Sequence, residues 1–156
     1  MRKKKKIKIV IKPDIKFNNI IIAKFINQIM RQGKKALAKR VVYQAILKLG
    51  DEPLKVFDQA IRNVEPQMEL MSRRIGGANY QIPREVAPDR RLTLAMRWII
   101  ASAKSKKGKP MAEKLADELK LAAQSQGDAV KKKENIHKMA EANRAFAHFA
   151  YREKRN

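Results

Sequence analysis

The sequence predicts a mainly α-helical fold: a single domain of about six helices with a protruding two-stranded β-hairpin and a basic N-terminal arm. Three observations predict it. Apolar residues recur at helical spacing through most of the 156 residues. Near residues 67–87 that period gives way to β-branched and aromatic residues flanking a glycine pair. The first 16 residues hold eight basic side chains and one acid, Asp14, too charged a block to build a core alone. Hydrophobic residues make up 44% of the chain, close to the globular average, which argues against a disordered polycation. The abnormal quantity is charge. Against 37 Lys and Arg stand 15 Asp and Glu, a formal net charge of +22. A compact body so charged repels itself, and a polyanionic partner relieves that repulsion.

In chain order, residues 1–16 form the arm, residues 17–149 the helical body, and residues 150–156 a short basic tail. Asn18 or Asn19 can cap a first helix whose face carries Ile22, Phe25, Ile26 and Ile29, with Gly33 as its stop. Leu37, Val41, Ala45 and Leu49 mark a second helix, ended by Gly50. Pro53 suits the first turn of a third, carrying Phe57, Ala60, Ile61 and Val64 until Pro66 breaks it. The hairpin follows, with strands on either side of Gly76-Gly77-Ala78-Asn79, and Pro83 lacking a ladder partner on one side. A lone ribbon is marginal in water, so its base should pack on the helices while its tip projects. A fourth helix begins near Asp89, with Leu92, Ala95, Met96, Ile99 and Ala103 on its apolar face. Pro110 opens a fifth with Leu115, Leu119 and Ala122, ended by Gly127. Asp128 can cap a last helix in which Ile136, Met139, Ala140, Asn143 and Ala147 share a face. No internal repeat interrupts this order.

The chemistry of an enzyme is missing. No cysteine is present, which removes thiolate metal sites and Cys nucleophiles, and the two histidines, His137 and His148, are too few for a His-rich centre. Gly33-Lys34-Lys35 lacks the preceding glycine turn of a phosphate loop, and Gly76-Gly77 lacks the following helix of a dinucleotide site. Asp117 and Glu118, adjacent on a helix, diverge by about 100° and cannot work as an acid–base pair. No catalytic residue, metal site, cofactor or small-molecule substrate is expected. No apolar run reaches the ~18 residues that span a bilayer, and Lys8 and Lys12 interrupt any signal-peptide core.

Binding residues are plentiful. The arm (Arg2, Lys3, Lys4, Lys5 and Lys6) is either a solubilising tail or a nucleic-acid contact, and the charge of the whole chain favours the latter. Lys34 and Lys35 lie between helices one and two. Arg73, Arg74 and Arg84 flank the hairpin, and a two-stranded ribbon with arginines fits a groove between phosphate rows. A basic edge also deters sheet-to-sheet association, but Arg90, Arg91 and Arg97 follow at once and favour binding. Arg90, Arg97 and Lys104 stand seven apart, each ~20° round from the next, on the face opposite the core. Lys131, Lys132 and Lys133 open the last helix. There, Lys133, His137, Glu141, Arg144 and His148 form one stripe, either a solvated face or a rail along phosphates and sugars. Trp98 reads as a rim residue of the core. With aromatics at 6%, recognition of a folded RNA by shape and phosphates fits better than base stacking. Rival readings are a nucleoid-type DNA-binding protein and a peripheral membrane protein with basic amphipathic helices.

These residues also carry a resemblance. The chain resembles the seventh small-subunit ribosomal protein family, bacterial and organellar type, over essentially its whole length. The matching stretches are Pro13-Asp14, Gly33-Lys34-Lys35, Ser72-Arg73-Arg74-Ile75-Gly76-Gly77-Ala78-Asn79-Tyr80-Gln81-Ile82-Pro83, the run from Arg90-Arg91-Leu92 to Trp98-Ile99, and the run from Ala129-Val130-Lys131 to His148-Phe149. The resemblance implies a structural protein of the small-subunit head that binds the 3′ major domain of the small-subunit rRNA and nucleates head assembly. It implies that Gly76, Gly77, Ala78 and Asn79 of the hairpin, with Arg144 and His148, lie near exit-site tRNA and the mRNA exit path. It further implies the eleventh small-subunit ribosomal protein as a neighbour, and a ribosome of the cytoplasm, or of an organelle matrix or stroma. Some relatives also repress their own operon mRNA. Asn79 stands where Thr or Ser is commoner, and Arg84 where an aliphatic residue is commoner. The sequence lacks the longer tail of some relatives, so contacts made by such a tail are not carried over.

Overall fold

The computed structural model describes residues 11–154. The arm residues Arg2, Lys3, Lys4, Lys5 and Lys6 lie outside the described residues. The chain divides into two compact units, one running to Arg40 and one from Val41.

In the first unit, Asp14 is buried, and its carboxylate accepts from the N–H groups of Lys16 (3.0 Å) and Phe17 (3.4 Å). Asp14, within the stretch expected to be arm, is thus a packed and hydrogen-bonded residue. Asn19, not Asn18, caps α1 (Ile20–Ile29): its Oδ1 accepts from Ile21 N–H at 2.7 Å and Ile22 N–H at 3.3 Å. Ile22, Phe25 and Ile26 are buried as their spacing predicts. The stop differs. Met30 leaves the helical region, so α1 ends before Gly33. The left-handed backbone at Gln32 (φ +52°) and Gly33 (φ +70°) instead turns the chain into α2 (Lys35–Leu47).

The buried positions of α2 and its end are Ala38, Val42, Ala45, Ile46 and Leu49, and Leu37 is 54% exposed. The expected face at 37, 41, 45 and 49 is therefore corrected. A pure four-residue step drifts about 40° per step round a 3.6-residue helix, whereas mixed steps of three and four stay on one stripe.

The second unit holds the larger core. Phe57, Ala60, Ile61 and Val64 of α3 (Pro53–Val64) meet α5 (Met111–Ala123), which contributes Leu115, Leu119 and Ala122. α4 (Pro88–Ser105) adds Ala95, Met96, Ile99 and Ala103, and α6 (Asp128–Ala142) adds Ala129, Val130 and Ala140. Burying one Phe, Ile or Leu of this set contributes roughly 1.5–3 kcal/mol, so the shared core, rather than helix propensity, sets the arrangement. Trp98, expected at the rim, is buried with the core, 7% exposed.

The hairpin pairs β1 (Met68–Ile75) with β2 (Ala78–Glu85), with Ile75 opposite Ala78. Its turn is only Gly76-Gly77, at φ +58° and +90°. Two successive left-handed residues make the type I′ geometry that matches strand twist. Ala78 and Asn79, expected in the turn, are strand residues. Counting outward from the turn, Leu70 and Pro83 oppose each other at a non-hydrogen-bonded position. The missing Pro83 N–H therefore costs the ladder nothing.

Two further boundaries differ. α5 ends at Ala123, and Gly127 (φ +94°) precedes α6 rather than stopping α5. α6 ends at Ala142 and gives way to a 3₁₀ helix, Arg144–Lys154, that packs on β2. With three residues per turn the 3₁₀ helix breaks the single face expected from Ile136 to Ala147, and Met139 is 47% exposed.

Candidate nucleic-acid interface

Charge is sorted by depth. Among the described residues no Lys or Arg is buried, whereas the buried charged side chains are three acids, Asp14, Glu69 and Glu118. Each acid holds something in place, and cations populate the exterior.

At the hairpin the register sets Glu69 directly opposite Arg84 on one face. Arg84 Nε donates to Glu69 Oε1 at 2.7 Å, and Arg90, from the first turn of α4, donates through Nε to Oε1 (3.0 Å) and Oε2 (2.8 Å). Burial pushes the Glu69 carboxyl up, but the hydrogen bonds from Arg90 and Arg84, with their charges, outweigh it and hold the group below its ordinary value. Arg91 is half-buried, and its Nε donates to Val86 O at 2.7 Å, tying α4 to the end of the hairpin.

The neighbours Arg73 and Arg74 part company. Strand alternation turns Arg73 onto the face shared with Tyr80, where it is half-buried and its Nη1 donates to Phe149 O at 3.3 Å. Arg74 is exposed on the other face. On the Arg73 face Tyr80, Phe146 and Phe149 cluster, with ring centroids 5.1 Å, 6.0 Å and 6.5 Å apart. The 3₁₀ helix thus supports the hairpin well beyond its base, and the exposed tip is Gly76, Gly77, Ala78 and Asn79.

Arg97 and Lys104 are exposed on α4, as the seven-residue spacing from Arg90 predicts. Lys131 and Lys132 are exposed at the start of α6, with Lys132 Nζ 5.9 Å from the centre of the Trp98 ring. Lysines near a helix N-terminus oppose its dipole. Asp128 in the first turn and the buried Glu118 offset this. Glu118 Oε1 accepts from Ala129 N–H at 3.0 Å, the bond an N-cap side chain normally supplies, and its Oε2 pairs with Lys106 Nζ.

The polar stripe on α6 and beyond does not act as one unit. Lys133 is half-buried, with its Nζ donating to Asn63 O at 2.8 Å, and His137 Nε2 accepts from Gln67 N–H at 3.1 Å. Both therefore fasten the α3–β1 connection. Burial first, then Lys133, pushes the His137 pKa down, which suits a neutral acceptor. Burial raises the neighbouring Glu65 carboxyl against the charges of Arg91, Arg62 and Lys133. Arg144 and His148 are exposed, with His148 Nδ1 2.8 Å from Ala145 O. Lys34 and Lys35 are exposed in the first unit. Among the described residues no cluster of three or more His, Asp or Glu is placed to hold a metal ion, and no helix is long and apolar enough to cross a membrane.

Sequence reasoning missed Glu69, Glu118 and Asn63. Asn63 Nδ2 donates to Ala122 O and Ala123 O, both at 2.9 Å, closing the end of α5. Only Glu69 left a local trace, since hairpin register brings it to Arg84.

A profile of the family described as ribosomal protein S7p/S5e matches residues 1–144. The chain belongs to that family. It is 52% identical over 143 residues to the small ribosomal subunit protein uS7 of Chloroflexus aggregans, covering 89% of this chain and 91% of the relative. It is 50% identical over 154 residues to the protein of that name from Dehalococcoides mccartyi, covering 96% and 99%. With the one from Anaeromyxobacter sp. the identity is 53% over 143 residues, covering 89% and 92%. The chain is thus a structural ribosomal protein of the small subunit, not an enzyme.

Proposed function

We propose that this protein is a primary binder of the 3′ major domain of the small-subunit rRNA. It nucleates assembly of the subunit head in the cytoplasmic ribosome by mutual neutralisation. The observation that carries this reading is the sorting of charge by depth: buried acids brace the fold, and the cations are left toward the surface. Phosphates relieve the protein's self-repulsion, and the protein lets RNA helices approach that would otherwise repel one another. Arg74, Arg84, Arg90, Arg97, Lys104, Lys131 and Lys132 grip phosphates directly, with Lys34, Lys35 and the arm residues Arg2 to Lys6. Arg73, Arg91 and Lys133, each tied to a backbone carbonyl, brace the hairpin and α6 beneath that surface. In this reading residues 1–16 serve as the arm, 17–149 as the binding body and 150–156 as a basic tail. The tip at Gly76–Asn79, with Arg144 and His148, lies toward exit-site tRNA and mRNA, beside the eleventh small-subunit protein.

Competition between an rRNA 3′ major-domain fragment and duplex DNA of equal length tests the reading. The RNA should win, and raising salt from 50 to 200 mM should weaken its binding on the order of a thousandfold if six or more phosphates are contacted. Equal affinity for the DNA would favour the nucleoid-type reading, and a flat salt response would contradict phosphate binding.

A further inference from the structure

A buried carboxylate between two half-exposed arginines is an uncommon way to present positive charge. Glu69 removes one unit of the charge that a polyanion binder needs, yet it sits at the base of the hairpin that carries Arg73, Arg74 and Arg84. Its side chain is 12% exposed, while those of Arg84 and Arg90 are 41% and 52% exposed. Arg90 meets it through Nε, which leaves the two terminal nitrogens of that guanidinium outside the bond. The two arginines come from different elements, β2 and α4, and the carboxylate joins them. One negative charge beneath two positive ones leaves a net cation whose geometry is set before any ligand arrives.

We infer that Glu69 is a positioning residue: it holds Arg84 and Arg90 as a paired clamp for one backbone phosphate of a structured RNA. This rests on the RNA-binding reading above. Long arginine side chains lose rotamer freedom when they bind, and a clamp ordered during folding avoids that loss at the moment of binding. Guanidiniums held on one carboxylate also offer the planar donors that phosphate oxygens accept in pairs, which ammonium groups do not.

The proposal reverses the sign that charge counting predicts. Glu69→Gln adds one positive charge, so long-range attraction alone would tighten RNA binding. Positioning predicts weaker binding of the rRNA fragment at 100 mM salt, by roughly three- to tenfold, because the clamp loosens. In an Arg84→Ala/Arg90→Ala background the same change should have no further effect. Arg84→Lys/Arg90→Lys keeps both charges but not the planar forks, and should also weaken binding several-fold. Circular dichroism reports whether each variant keeps its hairpin and helices, and the lysine variant carries the test if Glu69→Gln does not fold. Unchanged or tighter binding by folded Glu69→Gln, or wild-type affinity in the lysine variant, would overturn the clamp. Failure of the wild-type protein to prefer the RNA fragment would instead overturn the reading on which it rests.

Discussion

Glu69 and Glu118 are both buried acids paired with cations, yet they do opposite work. Glu69 lies under the surface with 12% of its side chain exposed and orders two arginines that reach outward. Glu118 has none of its side chain exposed and faces inward: it takes one lysine, Lys106, and the Ala129 N–H in the first turn of α6. Removing the first should loosen a binding feature and leave the fold. Removing the second should loosen the fold. A carboxylate's role therefore follows from whether its partners are side chains at the rim or a helix end in the core.

The largest expected effect is at the inner acid. Glu118→Ala leaves the α6 N-terminus uncapped and Lys106 partly buried without its partner, and should lower stability by about 3 kcal/mol. A urea midpoint measured beside that of Glu69→Gln would check it, and equal losses would erase the contrast. Next comes Gly127, the backbone that lets Glu118 approach. It adopts φ +94° and ψ 172°, a region open essentially to glycine, and an added Cβ would meet Glu118 Oε1 at 3.1 Å and Leu121 Cβ at 3.2 Å. Gly127→Ala should lower stability by about 2 kcal/mol in the same melts.

The smallest effects concern pH. The Glu69 carboxyl titrates below its ordinary value in the fold, so its contribution is present above pH 4.5 and is lost as pH falls through the folded value. His137 is likewise depressed, so the unfolded chain binds its proton first. Stability present above pH 6.5 is therefore lost as pH falls toward the folded value. Thermal melts from pH 7 to 3 should show two shallow declines. Glu69→Gln should flatten the lower and His137→Gln the upper. An unchanged lower limb in Glu69→Gln would mean that the clamp contributes nothing to folding.

How much was legible follows from distance along the chain. Pro53 and the Gly76-Gly77 pair act on residues within four positions, so the first turn of α3 and the place of the hairpin could be read directly, whereas the cap was narrowed only to Asn18 or Asn19 and the turn was drawn two residues too long. The core faces of α1, α3 and α5 were legible because mixed three- and four-residue spacings track the helical period, and α2 misled because its chosen spacing did not. The basic character and its placement on α4 were equally plain. Glu69 was half-legible: register sets it against Arg84, but nothing local brings Arg90 to it.

The sequence by itself determined the local elements, the helical class and the excess of cations, because propensity, capping and periodicity depend on near neighbours. Only the tertiary structure decided which cations look outward and which are internal fasteners. Lys133 to Asn63, Arg73 to Phe149 and Glu118 to Ala129 join residues 70, 76 and 11 positions apart. Such bonds form only after the core has chosen how its helices pack.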